Sequence, residues 1–145
     1  MRLLLYELRP EVLEQEGLIQ TLERRFDIVE RRAGTDARVI YRGQEDLQLP
    51  GTVARELYYV AMEALNNTLK HAQATEVTVG IEIRNAGLSM EVWDNGCGFD
   101  PQTVSHGLGL HHLQERVERL GGRLQIASEP GAGTRIMVWL DLGAA

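Results

Sequence analysis

The chain has 145 residues, 43% of them apolar and 25% charged, which is enough for one domain with a real core and ordinary for a soluble globular protein. Its 21 acids against 15 bases give a formal charge of -6, which argues against a nucleic-acid or anionic-membrane surface, because such surfaces need clustered Lys and Arg. A single cysteine, Cys97, excludes an internal disulfide, and no apolar run approaches the roughly 18 residues of a membrane span or carries signal-peptide flanks, so a reducing, cytoplasmic setting is expected.

In chain order, MRLLLYELRP is an apolar cluster cut off by Pro10 and reads as the tail of an upstream helix rather than a natural beginning. Residues 1–10 are therefore assigned to that tail and 11–145 to the domain. From Glu11 to about Arg32, Val12, Leu13, Leu18, Ile19, Leu22, Phe26 and Val29 recur near helical spacing, predicting one amphipathic helix closed by Gly34. Ala37 to Tyr41 reads as a short strand. Pro50 restarts a helix at Gly51 or Thr52 that runs to about Ala72. Val77 to Ile83 and Leu88 to Trp93 alternate with period two around Asn85-Ala86-Gly87, an antiparallel hairpin. After a loop from Asn95 to His106, Leu108 to Leu120 is helical and stopped by Gly121-Gly122, and Leu124 to Ala127 with Thr134 to Leu140 form a last hairpin around EPGAGT. This order predicts an α+β two-layer sandwich: a mixed or antiparallel sheet with three helices on one face.

Placed at 100° per residue, the second helix, ELYYVAMEALNNTLKHA, gathers Glu63, Asn66, Asn67, Lys70 and His71 on one side and Leu57, Ala61, Ala64, Leu65, Thr68 and Leu69 on the other. A solvated face is one reading. Two adjacent Asn residues weaken it, since Asn inside a helix costs roughly 0.5 kcal/mol against Ala. A carboxamide oxygen is a hard, neutral ligand suited to magnesium, Lys70 one turn on offers a point charge to phosphate, and Glu63 can orient or deprotonate a water or hydroxyl.

The phrase DNGCGFD, residues 94–100, is a turn signal by itself. Yet the chain after it does not resume a strand, and Gly96 and Gly98 leave space beside the backbone for a flat ligand. A buried Asp94 at a strand end can accept from the exocyclic amine of adenine and would reject guanine, whose carbonyl stands in that place. A second pair, Gly107 and Gly109, opens the third helix, where free N–H groups and the dipole favour an anion. Neither a Rossmann fingerprint nor a P-loop is present.

Taken in order, E-x-x-N-N-x-x-K-H on a helix, D-N-G-x-G-F after a strand, G-x-G-L opening a helix and G-x-G-T-R between strands resemble the ATP-binding catalytic domain of bacterial sensor histidine kinases. The wider group, with its Bergerat or GHKL fold, includes DNA gyrase and anti-sigma-factor kinases. The spacings are 27 residues from Asn67 to Asp94, 13 more to Gly107 and 26 more to Gly133, and the resemblance spans roughly residues 50 to 142. NNTLKHA and GLGLHHLQERVERLGGRL are most similar to the nitrate-sensor-like subfamily with a compact lid, in which a phrase like LLLYELRPEVLEQEGL follows the dimerisation helices.

The resemblance implies ATP and magnesium as ligands. It places Asn67 on the metal with Asn66 beside it, Lys70 on phosphate and His71 near the ribose or phosphates. Asp94 would take adenine N6 in a pocket shaped by Gly96 and Gly98. Gly107, Leu108, Gly109 and Leu110 would form the lid over the phosphates, and Thr134 would support the adenine. Glu63 is the water-activating base in gyrase-like relatives, and its role here is open. The polar stretch 98–107 is expected to move without nucleotide.

No His among His71, His106, His111 and His112 sits in the family's phosphoacceptor phrase, so the chain is expected to bind ATP without phosphorylating itself, as a monomer. The implied partners are a dimerisation domain carrying the acceptor, in a full-length homodimer, and a response regulator, with no nucleic acid. Two other classes stay open: an anti-sigma-like module that grips a transcription factor, and a water-activating ATPase. Steady ATP turnover lost in Glu63→Gln would favour the last. The adjacent His111 and His112 cannot both face one metal from a helix. Trp93 and Trp139 are expected in the core. Arg116 and Arg119 are expected on a solvated face with Glu115 and Glu118, with Arg116 a candidate for reaching phosphate.

Overall fold

The computed structural model describes residues 10–43, 49–69, 74–96 and 110–142. Within them the elements run α1 (Pro10–Ala33), β1 (Asp36–Arg42), α2 (Gly51–Asn67), β2 (Glu76–Arg84), β3 (Gly87–Asp94), α3 (Leu110–Arg119), β4 (Arg123–Ser128) and β5 (Thr134–Asp141). Lys70, His71, Gly98, Gly107, Leu108 and Gly109, like the stretch 98–107 expected to move, lie outside the described residues.

Period-two alternation builds the sheet. Its order is β1-β2-β3-β5-β4, with β1 parallel to β2 and every other pair antiparallel. The parallel step fits its connection, because a parallel pair needs a long crossover and α2 supplies it. Val79, Val92 and Ile136 stand side by side in register, as do Ile81, Met90 and Val138. All six are buried in one cluster with Leu22 and Phe26 of α1, Leu57 and Leu65 of α2, and Leu113 and Val117 of α3. The expected two-layer α+β sandwich, a mixed sheet with three helices on one face, is the architecture found.

Three details differ from the sequence reading. First, α1 is not one continuous helix: Gly17 takes φ 84 and ψ 169, outside helical space, a conformation glycine reaches without a Cβ penalty. The Thr21 hydroxyl donates to the Gly17 carbonyl at 2.7 Å and secures the break. Second, the β2–β3 loop is two residues long, not three. Asn85 and Ala86 carry positive φ of 51° and 65°, the pattern of a tight hairpin turn, and Gly87 already pairs with Arg84.

Third, Trp93 and Trp139 are not in the core. Since Val92 and Val138 face inward, period two sends their neighbours to the open face of the sheet. There the indoles are half-buried beneath guanidinium groups, Arg135 at 5.9 Å from the Trp93 ring and Arg123 at 5.3 Å from the Trp139 ring. Each arginine is the direct cross-strand partner of its tryptophan, so the pairing is cation–π packing on a solvated face.

Candidate functional site

The topology brings several element ends to one edge of the sheet. α2 ends at Asn67, nine positions before β2 begins at Glu76, and β3, antiparallel to β2, ends beside that beginning, with Val77 opposite Asp94. β5 starts at Thr134 opposite Asp94, and β4 ends at Ser128 opposite Thr134. Asp94 and Thr134, 40 residues apart in sequence, are therefore direct neighbours.

The half-buried Asp94 carboxylate is held from two directions. The hydroxyl of Thr68, the residue that caps the C-terminus of α2, lies 2.8 Å from Oδ2, and the Gly96 backbone N–H donates to Oδ1 at 2.8 Å. Two donors occupy one lone pair on each oxygen and leave acceptor capacity on both. The next residue, Asn95, explains the amide of the DNG phrase. Its Oδ1 accepts from the N–H groups of Thr75 and Glu76, each at 2.9 Å, and its Nδ2 donates to Thr75 Oγ1 at 2.8 Å. Asn95 thus ties the end of β3 to the start of β2, while Asp94 turns toward the helices.

Gly133 closes the other side. With φ +79, a Cβ on it would run into the Asp94 carbonyl oxygen. The strand end can approach β5 this closely only because that position is glycine. Beside it, Ser128 Oγ lies 3.0 Å from Thr134 Oγ1 and 3.0 Å from the Gly133 carbonyl oxygen. An open cleft of about 500 Å³ borders these residues, lined by Trp93, Asp94, Ser128, Gly133, Thr134 and Arg135 among others.

On α2, the predicted polar face divides. Glu63 and Asn67, one turn apart, are partly exposed, but Asn66 is only 5% exposed and is a core-facing residue. Its Oδ1 is buried and has no hydrogen-bond partner among the described residues, a costly arrangement for a carboxamide. Thr68, placed by the helical wheel on the packing side, is buried there and still reaches Asp94. Leu110, the last residue of the G-x-G-L phrase, begins α3.

Arg116 does not stand on a solvated face with Glu115. It reaches α2, donating to Glu56 Oε2 at 2.7 Å with its guanidinium 4.5 Å from the centre of the Tyr59 ring, while Arg119 approaches Glu56 Oε1 at 4.0 Å. The reason is its place between the buried Leu113 and Val117: the edge of the apolar stripe meets the neighbouring helix, not water. Thr68, Asn95, Ser128 and the Glu56–Arg116 pair are the residues that the motif reading missed. A hydroxyl at a buried helix position and a serine six residues before Thr134 were the available signals.

Residues 52–144 match the family model for histidine kinase-, DNA gyrase B-, and HSP90-like ATPases. The chain belongs to this ATPase family. Every residue singled out from Glu63 to Thr134 falls inside the match. Over 139 residues the chain is 35% identical to the sensor histidine kinase LiaS of Bacillus subtilis, covering 95% of this chain and 38% of that protein. Over 145 residues it is 36% identical to the signal transduction histidine-protein kinase/phosphatase DegS of Brevibacillus brevis, covering 98% of this chain and 37% of DegS. It therefore spans less than two fifths of the length of either relative.

Among solved structures, the blue-light activated histidine kinase of Erythrobacter litoralis matches with a TM-score of 0.72 at 21% identity, over 86% of this chain and 42% of that one. The catalytic domain of histidine kinase ThkA matches with a TM-score of 0.69 at 15% identity, over 89% and 92% of the two chains. These likenesses are of fold. Among the described residues of this ATPase-family domain, no helix is long and apolar enough to cross a membrane, and no group of three or more His, Cys, Asp and Glu side chains is placed to hold a metal.

Proposed function

We propose that this domain binds ATP with magnesium and serves as the catalytic part of a two-component sensor histidine kinase, its γ-phosphate destined for a histidine on a dimerisation domain. The observation that carries the reading is Asp94: a carboxylate fixed by two donors, with acceptor capacity left over, on the sheet edge it shares with the hydroxyls of Ser128 and Thr134. That donor set fits an aminopurine. Asp94 accepts from the exocyclic amine, and Thr134 supports the same ring edge.

Without a cluster of acidic or imidazole ligands among the described residues, the fit for a metal rests on Asn67, whose neutral carboxamide oxygen suits an ion that takes its negative partners from phosphate. Bound there, magnesium would neutralise phosphate charge. By the family resemblance, Lys70 would add a positive charge and His71 would serve the ribose or phosphates, and Gly96, Gly98, Gly107, Leu108, Gly109 and Leu110 would shape the pocket and its cover. Positioning and charge neutralisation carry most of a phosphoryl transfer, so such a domain supplies the donor half of the reaction. Glu63, within this reading, orients the acceptor or a water.

In the same proposal residues 1–10 are the tail of a dimerisation helix, the full-length protein is a homodimer with this domain in the cytoplasm, and its partner is a response regulator. The nitrate-sensor-like placement rests on the phrases NNTLKHA and GLGLHHLQERVERLGGRL; the relatives above carry the names LiaS and DegS. Calorimetric titration with ATP and GTP, with and without magnesium, tests the reading. ATP should bind, more tightly with the metal, and GTP at least about a hundredfold more weakly, because a carbonyl would face Asp94. Equal affinities, or no binding of ATP, would overturn it.

A further inference from the structure

Thr68 is 3% exposed, caps the C-terminus of α2 in helical conformation, and has one proton to give. Two acceptors compete for it: the Ala64 carbonyl oxygen at 3.1 Å, the ordinary habit of a helical threonine, and Asp94 Oδ2 at 2.8 Å. The shorter contact, to a carboxylate, is the stronger. The proton therefore belongs to Asp94, and the hydroxyl joins α2 to the end of β3 across 26 residues.

We propose that Thr68 is a positioning residue that makes the site selective for a 6-aminopurine, a role that rests on the nucleotide reading above. The geometry gives the reason. Gly96 N–H holds Oδ1 from the strand side and Thr68 holds Oδ2 from the helix side, so the carboxylate cannot rotate about its Cβ–Cγ bond without losing one of them. A ligand amine then meets an acceptor in fixed orientation, and a ligand carbonyl meets the same acceptor and is repelled. Free of Thr68, the carboxylate keeps only the Gly96 bond and can turn aside from a carbonyl, so discrimination falls. A side chain serving only to fill space would lower the affinity for both purines together.

The experiment compares ATP with inosine triphosphate, which carries a carbonyl in place of the amine, by calorimetry on the wild-type chain and on Thr68→Val, Thr68→Ala and Thr68→Ser, with melting curves as the check on folding. Thr68→Val, nearly the same shape without the hydroxyl, should weaken ATP about tenfold, because a carboxylate no longer held in advance must be ordered when the nucleotide binds. Inosine triphosphate should change by less than about twofold, so that the preference narrows, and Thr68→Ser should restore it. Thr68→Ala gives the same ratio if the valine variant melts too low to measure. Parallel loss of both nucleotides, an unchanged ratio, or failure of Thr68→Ser to restore it would overturn the role of Thr68. A wild-type chain that binds neither nucleotide would overturn the functional reading itself.

Discussion

Asp94→Asn keeps the side chain's shape and removes its charge, and the contacts around it predict which way the amide must sit. Only one oxygen remains. If it faced Thr68, the new NH₂ would point at the Gly96 N–H, donor against donor, so the oxygen stays with Gly96 and the NH₂ turns to Thr68. The Thr68 hydroxyl can then accept, passing its own proton to the Ala64 carbonyl at 3.1 Å. No buried group is orphaned, and two charge-assisted bonds become neutral ones, a loss of about 1 kcal/mol in stability or roughly 3 °C in melting temperature. Binding suffers more. The adenine amine loses its charged acceptor, about 1.5–3 kcal/mol, and meets a donor, about 1–3 kcal/mol more, which together weaken ATP by about a hundred- to ten-thousandfold. Calorimetry with ATP beside thermal unfolding followed by circular dichroism separates the two effects. An affinity within about threefold of wild type, or a melting point lowered by more than about 10 °C, would show that Asp94 serves the fold and not the ligand.

Arg116→Ala and Glu56→Ala, with the double variant, should give a coupling of about 1 kcal/mol in urea unfolding, above the usual surface pair because Glu56 is only 15% exposed and Tyr59 lies under the guanidinium. Additive losses would show that α2 and α3 are joined by apolar packing alone. Gly133→Ala should destabilise the domain by about 2 kcal/mol, through its positive φ and the Cβ contact with the Asp94 carbonyl, and should weaken ATP as well; a neutral effect on unfolding would refute the close approach. Burial raises the Tyr58 phenol above its usual 10, with Arg25 pulling more weakly the other way. Since the folded value lies above the unfolded one, the stability from this group is complete below about pH 10 and is lost as pH rises beyond it. Ultraviolet titration should show one tyrosine ionising only as the alkaline unfolding transition begins, and ionisation of every tyrosine before that transition would contradict this.

The elements were legible because their periods are strong: β2, β3, β4 and β5 each lie within a residue or two of their sequence limits, and the mixed character of the sheet follows from the helical crossover through α2 that sets β1 parallel to β2. Asp94 and Thr134 were legible as motif positions, and the register puts them side by side. What the sequence hid was direction. Trp93 and Trp139 look like core residues by type, yet Val92 and Val138 had already claimed the inner face. Asn66 looks like part of a polar face, but at 5% exposure it packs with the core. Arg116 looks solvated among its charged neighbours Glu115, Glu118 and Arg119 until α3 is laid against α2, where Glu56 waits 60 residues away in sequence. Contacts between elements decide each of these cases, and no local pattern encodes them.

The same logic makes Asn95 necessary to the site although it faces away from it. Side chains alternate along a strand, so a slip of β3 by one residue against β2 would send Asp94 to the open face and bring Trp93 in beneath the helices. The apolar pairs Val79–Val92 and Ile81–Met90 oppose such a slip along the strand, but the strand end, where β2 is only beginning, has few apolar pairs to hold it. There Asn95 supplies three side-chain bonds to Thr75 and Glu76, and its own N–H adds a fourth link to the Glu76 carbonyl at 3.3 Å. The carboxylate's direction is thus fixed one residue downstream, by the amide that first reads as nothing more than a turn former.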